Sequence, residues 1–520
     1  MTNTAQVCSQ HSITSKSIST RNSKKSIINT IKSISALCSI VLLSACGGSD
    51  ETDTETYIKF YNASPDSPSI YMTLDEDIDN DEDDELERTY SAIAYGKAGS
   101  RISLDDSSYY VELAWQGEDS TARNDLTMIY QEQLSLSSDT THWVVLSHSM
   151  SDPQVNIYSI PLIDDDTADD DQDNDLVNIR LVNLHETITD VDIYLSESDE
   201  TFNEAEFVTS LAGTNLSDNF KIDEDQYKLY ITEAGNDEVL FTSEEINYIY
   251  SGQYLLALRA NQGVGGSEFV VDNISNASIT QYDAEASSAS VRIYNGLDTN
   301  ELLPTYSSVI DANINSAASQ IVIDDLAYAS FSESFSLDHG DYRLSIANDD
   351  DGENLLSNRL ISLPQNTNKT VFLYWTDEAV DDDNDGIVDE DSDGVVDEIR
   401  PVISSLVVDN SDLTGLYAKR VTLLNLVNTD LFTGVSFYFV KSDEIIDTAE
   451  IQRTIGLGAT SNVILRNNSY QVFAIANIDN NEIIIDEITL TVDETTSDLF
   501  LILEHQTQSS EGFALRAVAQ

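Results

Sequence analysis

Cysteine is almost missing from this chain. Cys8, Cys38 and Cys46 are the only three, and none follows position 46. Everything beyond that point must therefore hold together without disulfides, by burying apolar surface, with metal as the one further device. Positive charge is nearly as scarce: 25 Lys and Arg stand against 93 Asp and Glu, a net charge of −68. The first 45 residues carry five of the basic residues and no acid, which leaves the rest near −73. Such a surface repels nucleic acid and anionic lipid headgroups and excludes binding to either through a basic patch. It suits surroundings where dissolved cations screen self-repulsion. The motifs of common enzymes are absent too: no G-x-S-x-G, H-E-x-x-H, Walker loop or Rossmann fingerprint occurs. No cysteine is left as a nucleophile. The histidines give no metal site either. His142 and His148 flank one strand roughly 20 Å apart, and His185, His339 and His505 fall in separate stretches. The chain is read as a non-enzyme with no catalytic residue. With so many acids, a carboxylate pair for glycoside cleavage stays open as an alternative.

What is present begins with a leader. Lys16, Arg21, Lys24, Lys25 and Lys32 precede the apolar run ISALCSIVLLSA, 34–45. That run fits a signal-peptide core and is too short to span a bilayer. It ends in Leu43-Ser44-Ala45-Cys46, which resembles the lipobox of bacterial lipoproteins. The resemblance implies cleavage before Cys46 and lipidation of that cysteine, the chain's link to the membrane. The alternative is an ordinary signal peptide. Acyl chains contribute about 0.8 kcal/mol per buried CH₂ and several together anchor durably. Gly47 stands where Asp commonly signals inner-membrane retention, so the resemblance points to the outer membrane, facing the periplasm or the cell surface. The polar stretch 46–56 reads as a tether.

With 41% apolar residues, the remainder can bury real cores. One pattern recurs four times. A strand ends in Asn: IKFYN to Asn62, IRLVN to Asn183, VRIYN to Asn295, VTLLN to Asn425. A strand with a central tyrosine follows, at Tyr71, Tyr194, Tyr306 and Tyr438. An apolar residue then precedes Tyr109, Tyr227, Tyr342 or Tyr470 by five positions, at Asn-to-Tyr intervals of 47, 44, 47 and 45. Apolar runs such as HWVVLS and DLFLIL and a last strand such as FVVDNI close each copy. Short runs rich in Val, Ile, Tyr and Phe between Asp, Asn, Ser and Gly are strands, and no amphipathic helix is evident. The fold class is all-β: four tandem Greek-key, immunoglobulin-like β-sandwich modules of six or seven strands after a lipoprotein signal peptide. The copies occupy 57–163, 177–284, 285–410 and 411–520, with an acidic linker at 164–176. The recurring tyrosine is expected to form a tyrosine corner, and the Asn a strand-end turn.

Repeat one contains Ala63-Ser64-Pro65-Asp66-Ser67-Pro68 before SIYMTLD. This resembles a family of uncharacterised secreted or lipid-anchored bacterial β-sandwich domains marked by an Ala-Ser-Pro-Asp-x-Pro turn. The resemblance covers about the first quarter and implies architecture and location, not an activity. Asp66 is expected to bond its own turn.

The segment 381–398 carries D-x-D-x-D-G-x-x-D twice. Asp381, Asp383, Asp385 and Asp389 form the first copy and Asp389, Asp391, Asp393 and Asp397 the second, about Gly386 and Gly394. Alternating carboxylates around a sharp glycine turn offer the hard oxygens that calcium takes. The pattern resembles thrombospondin type-3 repeats and the front of an EF-hand loop, without the cysteines of the one or the closing Glu of the other. It implies structural calcium of modest affinity, the alternative being a solvated acidic loop. The runs 75–87 and 164–175, without glycine, read as solvated charge. The functional expectation is an outer-membrane, non-catalytic envelope module for adhesion, for glycan or matrix contact, or for structural spacing. The second expectation is an accessory subunit of an envelope or secretion complex.

Overall fold

The computed structural model describes residues 56–520, apart from 78–85, 118–119, 121, 164–175, 382–387, 389–395, 397, 412, 414, 450, 507–508 and 510–511. Alternation builds the strands. In Gly434–Val440, Val435, Phe437 and Phe439 are fully buried while Ser436 and Tyr438 between them are half-buried. The only helical segments among the described residues are single 3-10 turns, so none is long and apolar enough to cross a membrane. A strand-rich sequence of this kind folds into β-sandwiches, and the structure contains four of them.

All four share one topology. Eight strand positions divide between two sheets, in the orders 4-1-7-8 and 3-2-5-6. The expectation of six or seven strands is corrected to eight, the third and fourth positions being easiest to miss in repeat one, where they are short and carry few apolar residues. In repeat one the third is only Glu87–Thr89 and the fourth is split into Lys97–Ala98 and Ile102–Leu104. The first and seventh strands run parallel in every copy: Thr56–Asn62 with Thr140–Ser147, Val177–Asn183 with Gly252–Ala260, Ser288–Asn295 with Asn368–Ala379, and Ala418–Asn425 with Leu499–His505. The remaining pairings are antiparallel. Repeat two adds a ninth strand, Ile279–Tyr282, at the sheet edge.

The continuous apolar runs of the seventh strands have a specific cause. In Leu499–His505, Leu499, Leu501 and Leu503 fill the core of repeat four, while Phe500 and Ile502 face outward onto repeat three. A strand buried on both faces cannot alternate. Repeats three and four thus pack through their 4-1-7-8 sheets, with Tyr294 and Phe372 against Leu424, Phe500 and Ile502. Repeats one and two do the same, with Tyr61, Trp143 and Val145 against Val182, Leu255 and Ala257. The tandem array is two face-to-face pairs.

The pairs meet at two further places. Asn366 of repeat three bonds Asn261, Asp283 and the Gly265 N–H of repeat two. Its amide nearly touches the space a side chain would occupy at Gly263, which explains a glycine there. Leading into repeat four, the Leu416 N–H donates to the Asp66 carbonyl (3.2 Å), and Tyr417 stacks on Trp115 at 4.6 Å.

Candidate functional site

The recurring residues are structural pins. Each strand-end Asn is fully buried or nearly so, and its side-chain oxygen accepts the N–H two residues on: Ser64 (3.1 Å), His185 (3.0 Å), Leu297 (3.0 Å) and Val427 (3.1 Å). The tyrosine corner forms as well. The hydroxyls of Tyr227, Tyr342 and Tyr470 donate to the carbonyls of Asp223, Asp338 and Arg466, each four residues upstream, and Tyr109 bonds the backbone of Asp105. One placement differs from the sequence reading and one extends it. Tyr306 lies outside the second strand of repeat three, Val309–Asn315, and instead donates to the Leu297 carbonyl (2.9 Å). Asp66 accepts the Ser64 hydroxyl of its own turn (3.5 Å) and also reaches beyond it, accepting the Met150 N–H (2.8 Å) and the Ser149 hydroxyl (2.6 Å).

Cys46 and the acids Asp383, Asp385, Asp389, Asp391, Asp393 and Asp397 lie outside the described residues. Asp381 follows the seventh strand of repeat three, and the Val380 N–H donates to the Glu398 carbonyl (2.9 Å), closing the base of the segment between the seventh and eighth strands. A different acidic group, not picked out from the sequence, forms on the other sheet. Asp311, Asp325 and Asp349 bring their carboxylate oxygens within 4.8 Å of one another. Reduced hydration, then Asp325 and Asp311, push the Asp349 carboxyl upward. These residues are 14 and 38 positions from Asp311, so only strand pairing joins them.

The module interfaces hold the more elaborate polar chemistry. Between repeats one and two, Arg259 makes a two-pronged ion pair with Asp272 (2.7 and 3.2 Å), both buried. Repeat one grips this pair with two tyrosines: Tyr61 donates to Asp272 (2.5 Å), and Tyr95 accepts from Arg259 (2.5 Å). Between repeats three and four, Glu504 pairs with Arg516 (3.0 Å). Tyr294 donates to Glu504, Arg516 donates to the Ala329 carbonyl (2.7 Å), and Tyr328 donates to the His505 carbonyl (2.5 Å). Counted from the strand-end Asn and its parallel partner, Arg259 and Glu504 occupy one position, as do Asp272 and Arg516. The same ion pair is thus installed with reversed polarity. Burial pushes the Glu504 carboxyl above its usual range, against the pull of Tyr294 and Arg516.

Beside each ion pair lies a cleft built from the same positions. In the first pair it has a volume of about 260 Å³ and is lined by Ala63, Pro65, Tyr95, His148, His185, Glu186 and Arg259, among others. In the second pair, two adjoining hollows of about 410 and 520 Å³ share Asp298, Thr299 and His505. Asp298 stands where repeat one has Pro65, Trp375 where it has His148, and His505 where repeat two has Ala260. His148 and His185, assigned to separate copies, therefore line one cleft. Burial lowers the pKa of His185, whose Nδ1 accepts the N–H groups of Thr187 (3.2 Å) and Ile188 (3.0 Å). A signal for the tyrosine grip does exist in the sequence. Tyrosine precedes the strand-end Asn in repeats one and three only, and Tyr61 to Tyr95 and Tyr294 to Tyr328 are both 34 residues apart.

No protein-family model matches the chain, nor does any curated protein. Among solved structures, the TIE protein of Bacillus anthracis aligns over 88% of this chain and 75% of its own at 9% identity and a TM-score of 0.14. A DUF3823 family protein from Bacteroides ovatus aligns over 39% of this chain and 98% of its own at 14% identity and a TM-score of 0.13. The major pilin subunit of Bacillus cereus aligns over 63% of this chain and 99% of its own at 8% identity and a TM-score of 0.13. Scores this low carry no argument about this chain, whose sandwich class rests on its own sheets.

Proposed function

We propose that the chain is a non-catalytic binding or structural module of a bacterial cell envelope, anchored in the outer membrane by lipid on Cys46. The observation that carries the binding part is the repeated cleft: two module pairs place the same loops around the same opening, but with different side chains. Loops held on a rigid sandwich scaffold are where binding specificity is built, and clefts at domain junctions are common ligand sites. The lipobox at 43–46 supports the anchor. Calcium held by Asp381, Asp383, Asp385, Asp389, Asp391, Asp393 and Asp397 would brace the loop joining the last two strands of repeat three. A glycan, a matrix component or an envelope protein would be the partner.

The anchor is tested by labelling cells with a clickable fatty acid and fractionating them. The wild-type chain should carry label and sediment with outer membrane. Cys46→Ser should lose label and leave that fraction. An unlabelled wild-type chain would refute the anchor, and release by protease from intact cells would place it on the surface.

A further inference from the structure

Repeat one departs from its three copies along one side. Its third strand has only three residues, Glu87–Thr89, where those of repeats two, three and four have seven, eight and six. Beside it a hollow of about 260 Å³ opens between the sheets, walled by Phe60, Met72, Tyr90, Ile93 and Ile102. Protein interiors elsewhere pack as densely as organic crystals. Gly99 also lines the hollow. A methyl group there would meet nothing closer than Ile93 at 3.6 Å, and the backbone is not left-handed, so neither space nor conformation demands glycine. Repeats two and three carry Ser217 and Ser332 at that position, each N–H donating to the first strand as that of Gly99 does. The missing side chain leaves the hollow open.

The rim of this hollow is basic, against the charge of the whole chain. From Arg88 to Leu104 there are three basic residues and no acid. Arg88 pairs across the sheet with the buried Leu74 and stands between Leu86 and Tyr90, which both pack on the core, so it belongs to the inner face of its strand. Its guanidinium lies over the ring of Tyr90, 5.1 Å from the centroid, and has no carboxylate partner among the described residues. An inward charge at a sheet edge deters pairing with other chains, but that role does not account for the hollow beside it. Small-molecule sites are typically apolar pockets with a few placed polar groups, and a guanidinium takes a carboxylate through two parallel N–H bonds. We propose that repeat one binds a medium-chain aliphatic carboxylate, its alkyl tail in the hollow and its carboxylate on Arg88. This adds a site to the binding-module reading, separate from the paired clefts and from the lipid anchor.

The test is titration calorimetry with octanoate, on the full chain exchanged into a fluorinated surfactant whose tails do not compete for a hydrocarbon site. One saturable site is expected. Octylammonium should bind far more weakly, although the chain as a whole is acidic; the reverse order would mark diffuse charge attraction and overturn the assignment. Arg88→Gln should weaken octanoate several-fold, the scale of an exposed ion pair, and change octanol by less than about twofold. Gly99→Leu should abolish binding of both at an equal or higher melting temperature, since filling a hollow stabilises a fold. If that variant does not fold, Arg88→Gln decides alone. Equal weakening of octanoate and octanol by Arg88→Gln would leave Arg88 a guard of the sheet edge and overturn the carboxylate site. Binding by Cys46→Ser but not by the wild type would give the hollow to the chain's own acyl group and overturn it too. The anchor itself is judged separately, by labelling and fractionation.

Discussion

His185 and His142 show how single side chains tie this fold to one protonation state. His185 accepts two backbone N–H groups on Nδ1, and His142 accepts the Ser137 N–H on Nε2 (2.9 Å), so each ring must keep a lone pair free. Burial lowers the pKa of both below the usual 6.5. A base with a depressed folded pKa stabilises the fold fully above its unfolded value, and that contribution is lost as pH falls through the lowered one. Acidification from pH 7 toward 5 should therefore loosen the pair formed by repeats one and two. His185→Gln should reduce the slope of melting temperature against pH, and an unchanged slope would contradict this account. The strand-end Asn residues work differently, since amides do not titrate. Asn295 also donates to the Ser308 (3.2 Å) and Leu326 (2.9 Å) carbonyls, and so staples three stretches of chain at any pH.

Among the elements, the first and seventh strands decide the assembly. Their inner residues build a module and their outer residues build a pair, so a substitution reports on one or the other by its parity. The buried Arg259–Asp272 pair sits on the outer face, with Tyr61 and Tyr95 closing over it. Removing one partner of a buried, hydrogen-bonded ion pair leaves an uncompensated charge and costs about 3–5 kcal/mol. Replacing both with apolar residues of similar volume is often close to neutral. Arg259→Met should therefore destabilise the first module pair by about that much, and the double variant Arg259→Met with Asp272→Leu should recover most of it in urea unfolding. If the double variant is as unstable as the single one, the tyrosine hydroxyls carry the interface instead of the charges. The reversed polarity at Glu504 and Arg516 gives each pair its own pattern, while the tyrosine grip stays on the odd-numbered repeats.

For the whole molecule, charge dominates. A net −68 on one chain imposes self-repulsion that salt screens. Melting temperature should rise as sodium chloride is raised from about 10 mM to 0.15 M, where the Debye length falls to about 8 Å. Calcium should raise it further at matched ionic strength if the segment 381–398 holds an ion, and chelator should remove that increment. Equal melting with calcium and with chelator would remove calcium from the account and leave a solvated acidic loop.

Local chemistry was legible in the sequence. Four Asn turns, the tyrosine corners and the strand-rich modules follow from residue type and spacing, because an Asx turn or an i−4 tyrosine bond spans only a few residues. Tyr306 was misplaced because a tyrosine near a strand looks the same in sequence as one within it. Pairing was another matter. The seventh strands stood out in sequence only as continuous apolar runs, and what covers their second face was not written there, since contact between sheets some two hundred residues apart leaves no local pattern. Tyr61 and Asp272, or Tyr294 and Glu504, meet only after two complete modules have formed and closed on each other. The same holds for Asp298 beside His505, whereas Asp311, Asp325 and Asp349 need only the strand pairing within repeat three. Sequence by itself determined the modules, since their bonds are short-range and periodic. Only the tertiary structure decided the pairs and their clefts, because those arise where surfaces distant along the chain exclude water together.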